Sequence, residues 1–242
     1  MKLFCIGCGP GDPQLLTVRA VNLIQSAEAI FAPTAREGKA SIALSVVEKY
    51  VSKSAKTTSL VFPMVKDKES LKDYWKRNAD DVAAAVRSGK KVVYLTVGDP
   101  ALYSTWIYIH RELKKNHKDI EVEIVPGIAS MFAIAAKAGI SLAEGEETVA
   151  IVPACYDMDR VSRTASACDT VIFLKDGRYF DSVIEMLGES GFPDNADIAI
   201  AQDISAEKGE IIEIRKLSEL LGKKGPTEKY FSIMVAKKNV RE

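Results

Sequence analysis

Short apolar runs alternate with amphipathic stretches along the whole chain, the pattern of an α/β protein with a mainly parallel sheet. Strands are predicted at Leu3–Ile6, Glu28–Ala32, Thr57–Val61, Val92–Thr96 and Val122–Val125. Helices are predicted between them at Leu15–Ala27, Ser41–Tyr50, Glu69–Ser88 and Tyr103–Lys115. The clearest helix is Glu69–Ser88, where Leu71, Trp75, Ala79, Val82 and Val86 fall on one face and Gly89 supplies a stop. Ile128–Ala138 has the small, apolar composition of a buried helix.

The polar stretch Gly139–Glu147 marks a boundary, giving an N-terminal α/β domain over 1–142 and a C-terminal one over 143–242. The second half opens with strands Thr148–Val152 and Thr170–Leu174 and a helix over Ser182–Glu189. It then changes character. Asp197–Gln202, Glu210–Ile214 and Tyr230–Ala236 read as strands with only the short helix Leu217–Leu221 among them, so antiparallel pairing is expected there. Two α/β domains with a cleft between them is the expected architecture.

Composition narrows the class. The chain of 242 residues is 47% hydrophobic and 27% charged, long enough to bury a core without disulfides. Lys+Arg and Asp+Glu are equal at 33 each, so no global positive field gathers nucleic acid or an anionic membrane. No apolar run approaches the ~20 residues of a membrane span. Cys5, Cys8, Cys155 and Cys168 are too sparse for a disulfide framework, and the expected location is the cytoplasm. Cys5 and Cys8 form a C-x-x-C, but a strand precedes it and Pro10 follows, unlike a thiol activated at a helix start, so a structural role is expected. No His/Cys cluster has metal-ligand spacing, so no metal site is expected. His110 and His117, among lysines, are expected to be solvated.

Three strand ends stop at glycine and proline: Gly7-Cys8-Gly9-Pro10-Gly11-Asp12, Gly98-Asp99-Pro100 and Pro126-Gly127-Ile128. In open α/β sheets ligands bind beyond the carboxyl ends of strands, and glycine there lets a ligand approach the backbone. The first loop fails the dinucleotide fingerprint, because Gly7 and Gly9 fit but Asp12 occupies the third glycine position. An aspartate there would face a pyrophosphate, and no phosphate-binding G-x-x-x-x-G-K-[ST] segment exists. The loops suit a ligand with adenine, ribose hydroxyls and an amino-acid end.

The run Ile6-Gly7-Cys8-Gly9-Pro10-Gly11-Asp12-Pro13-Gln14-Leu15-Leu16-Thr17, then Gly98-Asp99-Pro100, then Val125-Pro126-Gly127-Ile128, resembles the tetrapyrrole methylases over essentially the whole chain. Ala101-Leu102-Tyr103-Ser104-Thr105-Trp106 replaces the phenylalanine- and glycine-rich stretch of uroporphyrinogen-III methyltransferases. Together with Ala32-Pro33, Gly38, Ser41, the run Ala138–Gly145 and Ile151-Val152-Pro153-Ala154, it resembles the branch that methylates C20 of precorrin-2 or cobalt-factor II. The resemblance implies S-adenosylmethionine as methyl donor, a small-molecule tetrapyrrole substrate on the route to cobalamin, and a homodimer. It implies cofactor contacts at Pro10, Gly98, Asp99, Leu102, Tyr103, Ala129 and Ser130, and from the second domain at Leu174, Ala201 and Asp203.

Transfer from a sulfonium chiefly requires alignment of donor and acceptor, so no catalytic triad is needed, and none is visible. No general base is identified. A substrate with about eight carboxylates calls for basic docking residues, with Arg36, Lys39, Arg160, Arg163 and Arg178 as candidates. Asp99 capping a helix and Trp106 in the core are the plainer alternatives at those positions. The rival functions are another corrin-pathway ring methylase, a diphthine synthase with a protein substrate, a nicotinamide-dependent reductase, and a non-catalytic adenosyl-ligand sensor.

Overall fold

The computed structural model describes residues 1–63, 67–153, 155–174, 179–202, 211–224 and 232–238. The chain divides into two compact units, Met1–Ala129 and Ser130–Glu242.

The first unit is built on five parallel strands: β1 (Lys2–Gly7), β2 (Ala29–Thr34), β3 (Lys56–Val61), β4 (Val92–Thr96) and β5 (Glu121–Val125). Their order is β3-β2-β4-β1-β5. Alternation along each strand decides which layer a side chain joins. Leu3, Cys5, Phe31, Val92 and Tyr94 pack with α3 (Lys68–Arg87) and α4 (Trp106–Asn116). Ile6, Ile30, Ala32, Val93 and Leu95 pack with α1 (Val18–Gln25) and α2 (Ile42–Val47). Both faces are therefore covered, and β4 is buried along its whole length, apolar up to Thr96. The helix after β1 and the helix after β4 lie on opposite faces, so the ends of these neighbouring strands form the switch point of the sheet.

Two helices start later than the apolar pattern suggests, each for a local reason. Asp12 accepts from the Gln14 amide (2.8 Å) and closes a separate 3₁₀ turn over Pro13–Leu15. The helix expected from Leu15 thus begins at Val18, where the Thr17 hydroxyl accepts from the Ala20 amide (3.1 Å). The helix expected from Tyr103 begins at Trp106. Tyr103 has φ 49°, outside the helical region, and the Ser104 hydroxyl takes the Trp106 amide (3.1 Å).

The second unit opens with α5 (Ser130–Ala138) and carries a mixed sheet. Its strands are β6 (Val149–Pro153), β7 (Thr170–Leu174), β8 (Asp197–Gln202), β9 (Ile211–Lys216) and β10 (Ser232–Lys237), in the order β6-β7-β10-β8-β9. Only β6 and β7 pair in parallel; the later pairs are antiparallel, as expected. Helices α6 (Met158–Ala167), α7 (Phe180–Glu189) and α8 (Leu217–Leu220) bury Val161, Ala165, Val183, Leu187 and Leu217 against one face. The sequence pattern did not delimit α6, which the Asp157 carboxylate caps through the Arg160 amide (3.0 Å).

The division falls between Ala129 and Ser130, ahead of the boundary expected at 142/143. The reason is α5, which packs against β8, β9 and β10 and so belongs with the second sheet. Among the described residues no helix is long and apolar enough to cross a membrane.

Candidate cofactor site at the strand ends

In the first unit the three glycine–proline strand ends converge. Gly9 and Gly98 exchange backbone hydrogen bonds, Gly98 N to Gly9 O at 2.7 Å and Gly9 N to Gly98 O at 3.3 Å. Gly7 and Gly127 press together: a Cβ on Gly7 would lie 2.6 Å from Gly127 N, and one on Gly127 would lie 2.4 Å from Gly98 O. No side chain fits at either position, so glycine here sets how closely the loops after β1, β4 and β5 approach. Gly98 differs. With φ +70° and nothing within 4 Å of its Cβ position, its outer side is open.

Asp99 ties these loops together. One carboxylate oxygen accepts from the Ala101 amide (2.8 Å), and the other from the Gly127 amide (3.0 Å), joining the second loop to the third. Its own carbonyl accepts from the Leu102 amide (3.2 Å), closing the turn that carries Leu102 and Tyr103. Asp99 does not cap the following helix, the plainer alternative: the N-cap is Thr105, which makes no side-chain cap bond, and the Ser104 hydroxyl just before it accepts from the Trp106 amide. The Ser104 hydroxyl also lies 2.8 Å from that of buried Thr96, at the end of β4. Tyr103 is 46% exposed, and among the described residues it alone outside glycine has positive φ. Burial of part of its ring pushes its phenol pKa up. Pro10 is buried within the first loop, and Ala129 is buried just beyond the third.

The first-unit residues expected to hold a cofactor, Pro10, Gly98, Asp99, Leu102, Tyr103 and Ala129, thus lie on or beside one loop cluster. Ser130 starts α5 in the second unit. Leu174 and Ala201 end up close within the second sheet, where both pair with Ile233 across β10. Ala201 is fully buried and Leu174 half-buried. Asp203 and Arg178 lie outside the described residues. Arg36 and Lys39 are exposed in the turn after β2, and Arg160 and Arg163 are exposed on α6.

Several readings sharpen and two, at His110 and His117, change. Trp106 is buried, so the core alternative holds there. Cys5 and Cys8 are buried free thiols; desolvation pushes both up, Cys8 to about 12, so they are protonated and unfit for exchange chemistry. His117 is not solvated. Its side chain is 11% exposed, with Nε2 2.8 Å from Asp80 and Nδ1 3.1 Å from Arg87. His110 stacks on Trp106, and burial followed by Lys114 lowers its pKa. The sequence reading also missed that Gly7 and Gly127 are the steric keystones. The signal available in the sequence is their place in the glycine–proline segments that follow the first and fifth apolar runs.

The chemistry of the cluster is that of a site for a ligand without phosphates. Only a single 3₁₀ turn, capped by Asp12, follows the first loop before α1, and the segments Gly7–Asp12, Gly98–Tyr103 and Pro126–Ala129 contain two carboxylates and no cation. Such an edge repels a pyrophosphate and accommodates a cationic group.

Fold and site together define a two-sheet α/β protein that presents glycine–proline loops at the carboxyl edge of its parallel sheet. The family described as Tetrapyrrole (Corrin/Porphyrin) Methylases matches residues 2–221, and the chain belongs to it. It is 39% identical over 174 residues to a probable cobalt-precorrin-2 C(20)-methyltransferase of Methanocaldococcus jannaschii, covering 72% of each chain. It is 32% identical over 190 residues to the cobalt-precorrin-2 C(20)-methyltransferase of Salmonella typhimurium, covering 78% of this chain and 79% of that one. The fold matches the uroporphyrin-III C-methyltransferase of Thermus thermophilus solved with S-adenosylhomocysteine. The TM-score is 0.67 at 18% identity, over 98% of this chain and 97% of that one.

Proposed function

We propose that the chain transfers a methyl group from S-adenosylmethionine to C20 of a precorrin-2-level tetrapyrrole in cobalamin biosynthesis. The observation that carries this reading is the match, over most of the chain, to two relatives named for that reaction. Both names specify cobalt, which favours the cobalt-containing substrate, cobalt-factor II, over metal-free precorrin-2.

The residues present fit the donor. The loops lack any phosphate-binding helix start and carry Asp12 and Asp99, a suitable electrostatic setting for a ligand bearing a sulfonium and an ammonium. Pro10, Gly98, Asp99, Leu102, Tyr103 and Ala129 would hold it on the loop cluster; Ser130, Leu174, Ala201 and Asp203 are proposed as further contacts. When bound, S-adenosylmethionine supplies an electrophilic methyl group on a good leaving group. The chain's own task is then alignment, and a preorganised backbone is well suited to it. Asp99 contributes by fixing the loops against one another, and Gly98 by leaving its outer side open. Arg36, Lys39, Arg160, Arg163 and Arg178 are proposed to meet the substrate carboxylates. A cytoplasmic homodimer completes the reading, and light scattering on the purified chain tests the dimer.

The test is incubation with cobalt-factor II or precorrin-2 and methyl-labelled S-adenosylmethionine, followed by NMR location of the label. The expected position is C20. Label at another ring carbon would move the chain to another branch, and absence of transfer would overturn the activity.

A further inference from the structure

The carboxyl edge of the first sheet carries a fork that the three glycine–proline loops do not use. β4 pairs with β1 out to Gly7↔Thr96, and β2 pairs with β3 out to Thr34↔Val61. Between β2 and β4, however, the pairing ends at Phe31↔Tyr94. The last residues of β2, Ala32-Pro33-Thr34, therefore leave β4 while still bound to β3, and the Phe62 amide extends that side by donating to Thr34 O (2.8 Å). Pro33 has no amide hydrogen and suits a place where a central strand loses one neighbour.

Thr34 ends this limb. It is 7% exposed, and its hydroxyl points into the following turn, donating to Lys39 O at 2.9 Å and Arg36 O at 3.2 Å. The Lys39 amide closes the same turn on Arg36 O (3.3 Å), and Gly38 supplies the φ of +72° that the turn needs. The result is a compact turn whose two cations, Arg36 and Lys39, are both exposed. Neither forms an ion pair among the described residues, although Glu37 lies between them in sequence. All five strands are parallel, so this turn stands on the same edge as the strand ends of the cofactor site.

We propose that Thr34 is a positioning residue that holds the Arg36–Lys39 turn as a docking clamp for carboxylate arms of the tetrapyrrole. The proposal rests on the methyltransferase reading and adds to it a residue that touches neither donor nor reacting carbon. The hydroxyl lowers the entropy lost when two long cationic side chains meet a polyanion, because the backbone beneath them is already fixed. Recognition is by charge and hydrogen bonding to carboxylates, so it scales with their number and weakens with salt.

The test uses the full chain and two porphyrin probes, the octacarboxylate uroporphyrin and the tetracarboxylate coproporphyrin, with binding followed by fluorescence. Arg36→Gln/Lys39→Gln and Thr34→Val are each expected to weaken uroporphyrin binding about three- to tenfold. They should affect coproporphyrin less and leave S-adenosylhomocysteine affinity unchanged. Thr34→Ser restores the hydroxyl and should bind like wild type. In turnover, Thr34→Val should raise KM for the tetrapyrrole with kcat unchanged. Unchanged uroporphyrin binding in the Arg36/Lys39 double variant overturns the proposal, as does equal behaviour of Thr34→Val and Thr34→Ser. Failure of methyl transfer by the wild-type chain would instead strike the activity, since porphyrin binding is read without it.

Discussion

The two sheets handle their strand ends in opposite ways. In the first, every strand runs in the same direction, so all five carboxyl ends share one edge and three loops can meet there. In the second, β9 and β10 run against β7 and β8, so strand ends are divided between two edges. The glycines follow suit. Gly7 and Gly127 sit where backbone meets backbone, whereas Gly188 of α7 faces only the flexible tip of Leu221, 3.3 Å from where its Cβ would be. A parallel sheet can thus build a ligand edge out of main chain alone, and the tolerance for added atoms there is correspondingly small.

The sharpest way to break this contrast is Gly127→Ala. Its Cβ would meet Gly98 O at 2.4 Å and Gly7 O at 2.7 Å, so the loops must separate. A stability loss of about 3 kcal/mol is expected, with loss of S-adenosylhomocysteine binding, measured by denaturant unfolding and calorimetry. Asp99→Ala should do less to the fold and more selectively harm the site. It removes the acceptors for the Ala101 and Gly127 amides, and S-adenosylhomocysteine affinity is expected to fall about tenfold. Undiminished affinity would show that the strand ends hold one another without the carboxylate. Gly188→Ala should be the mildest: a helix-propensity gain of about 0.5–1 kcal/mol offsets the crowding at Leu221, leaving the melting temperature level or slightly raised. A large loss there would erase the distinction between the two regions.

Much of this arrangement is legible in the sequence because it is local. Val92–Thr96, Thr170–Leu174 and Asp197–Gln202 are strands with the same limits in both readings, since buried strands appear as continuous apolar runs between breakers. The glycine–proline strand ends were equally plain. What escaped depends on distant partners or on a single backbone angle. His117 looked solvated because Asp80 and Arg87 lie on another helix. The tie that Asp99 makes to Gly127 spans two strand ends distant in the chain, so the expected cofactor contact at Asp99 carries no hint of it. The start of α4 was misplaced because nothing in the apolar pattern reports that Tyr103 turns left-handed. The place of α5 with the second sheet follows from packing on β8, β9 and β10, far along the chain.

The position of β10 has a consequence for how the protein is made. The first sheet has all five of its strands once residue 125 has left the ribosome. The second cannot close until residues 232–237 appear, because β10 separates β7 from β8. At about 5–20 residues per second, β7 waits several seconds of synthesis with one side of its backbone unpaired. During that interval the nascent chain carries a finished parallel half and an open, apolar β-surface. Chaperone demand and aggregation in overexpression should therefore track the arrival of this one strand, while the loop cluster is already in place.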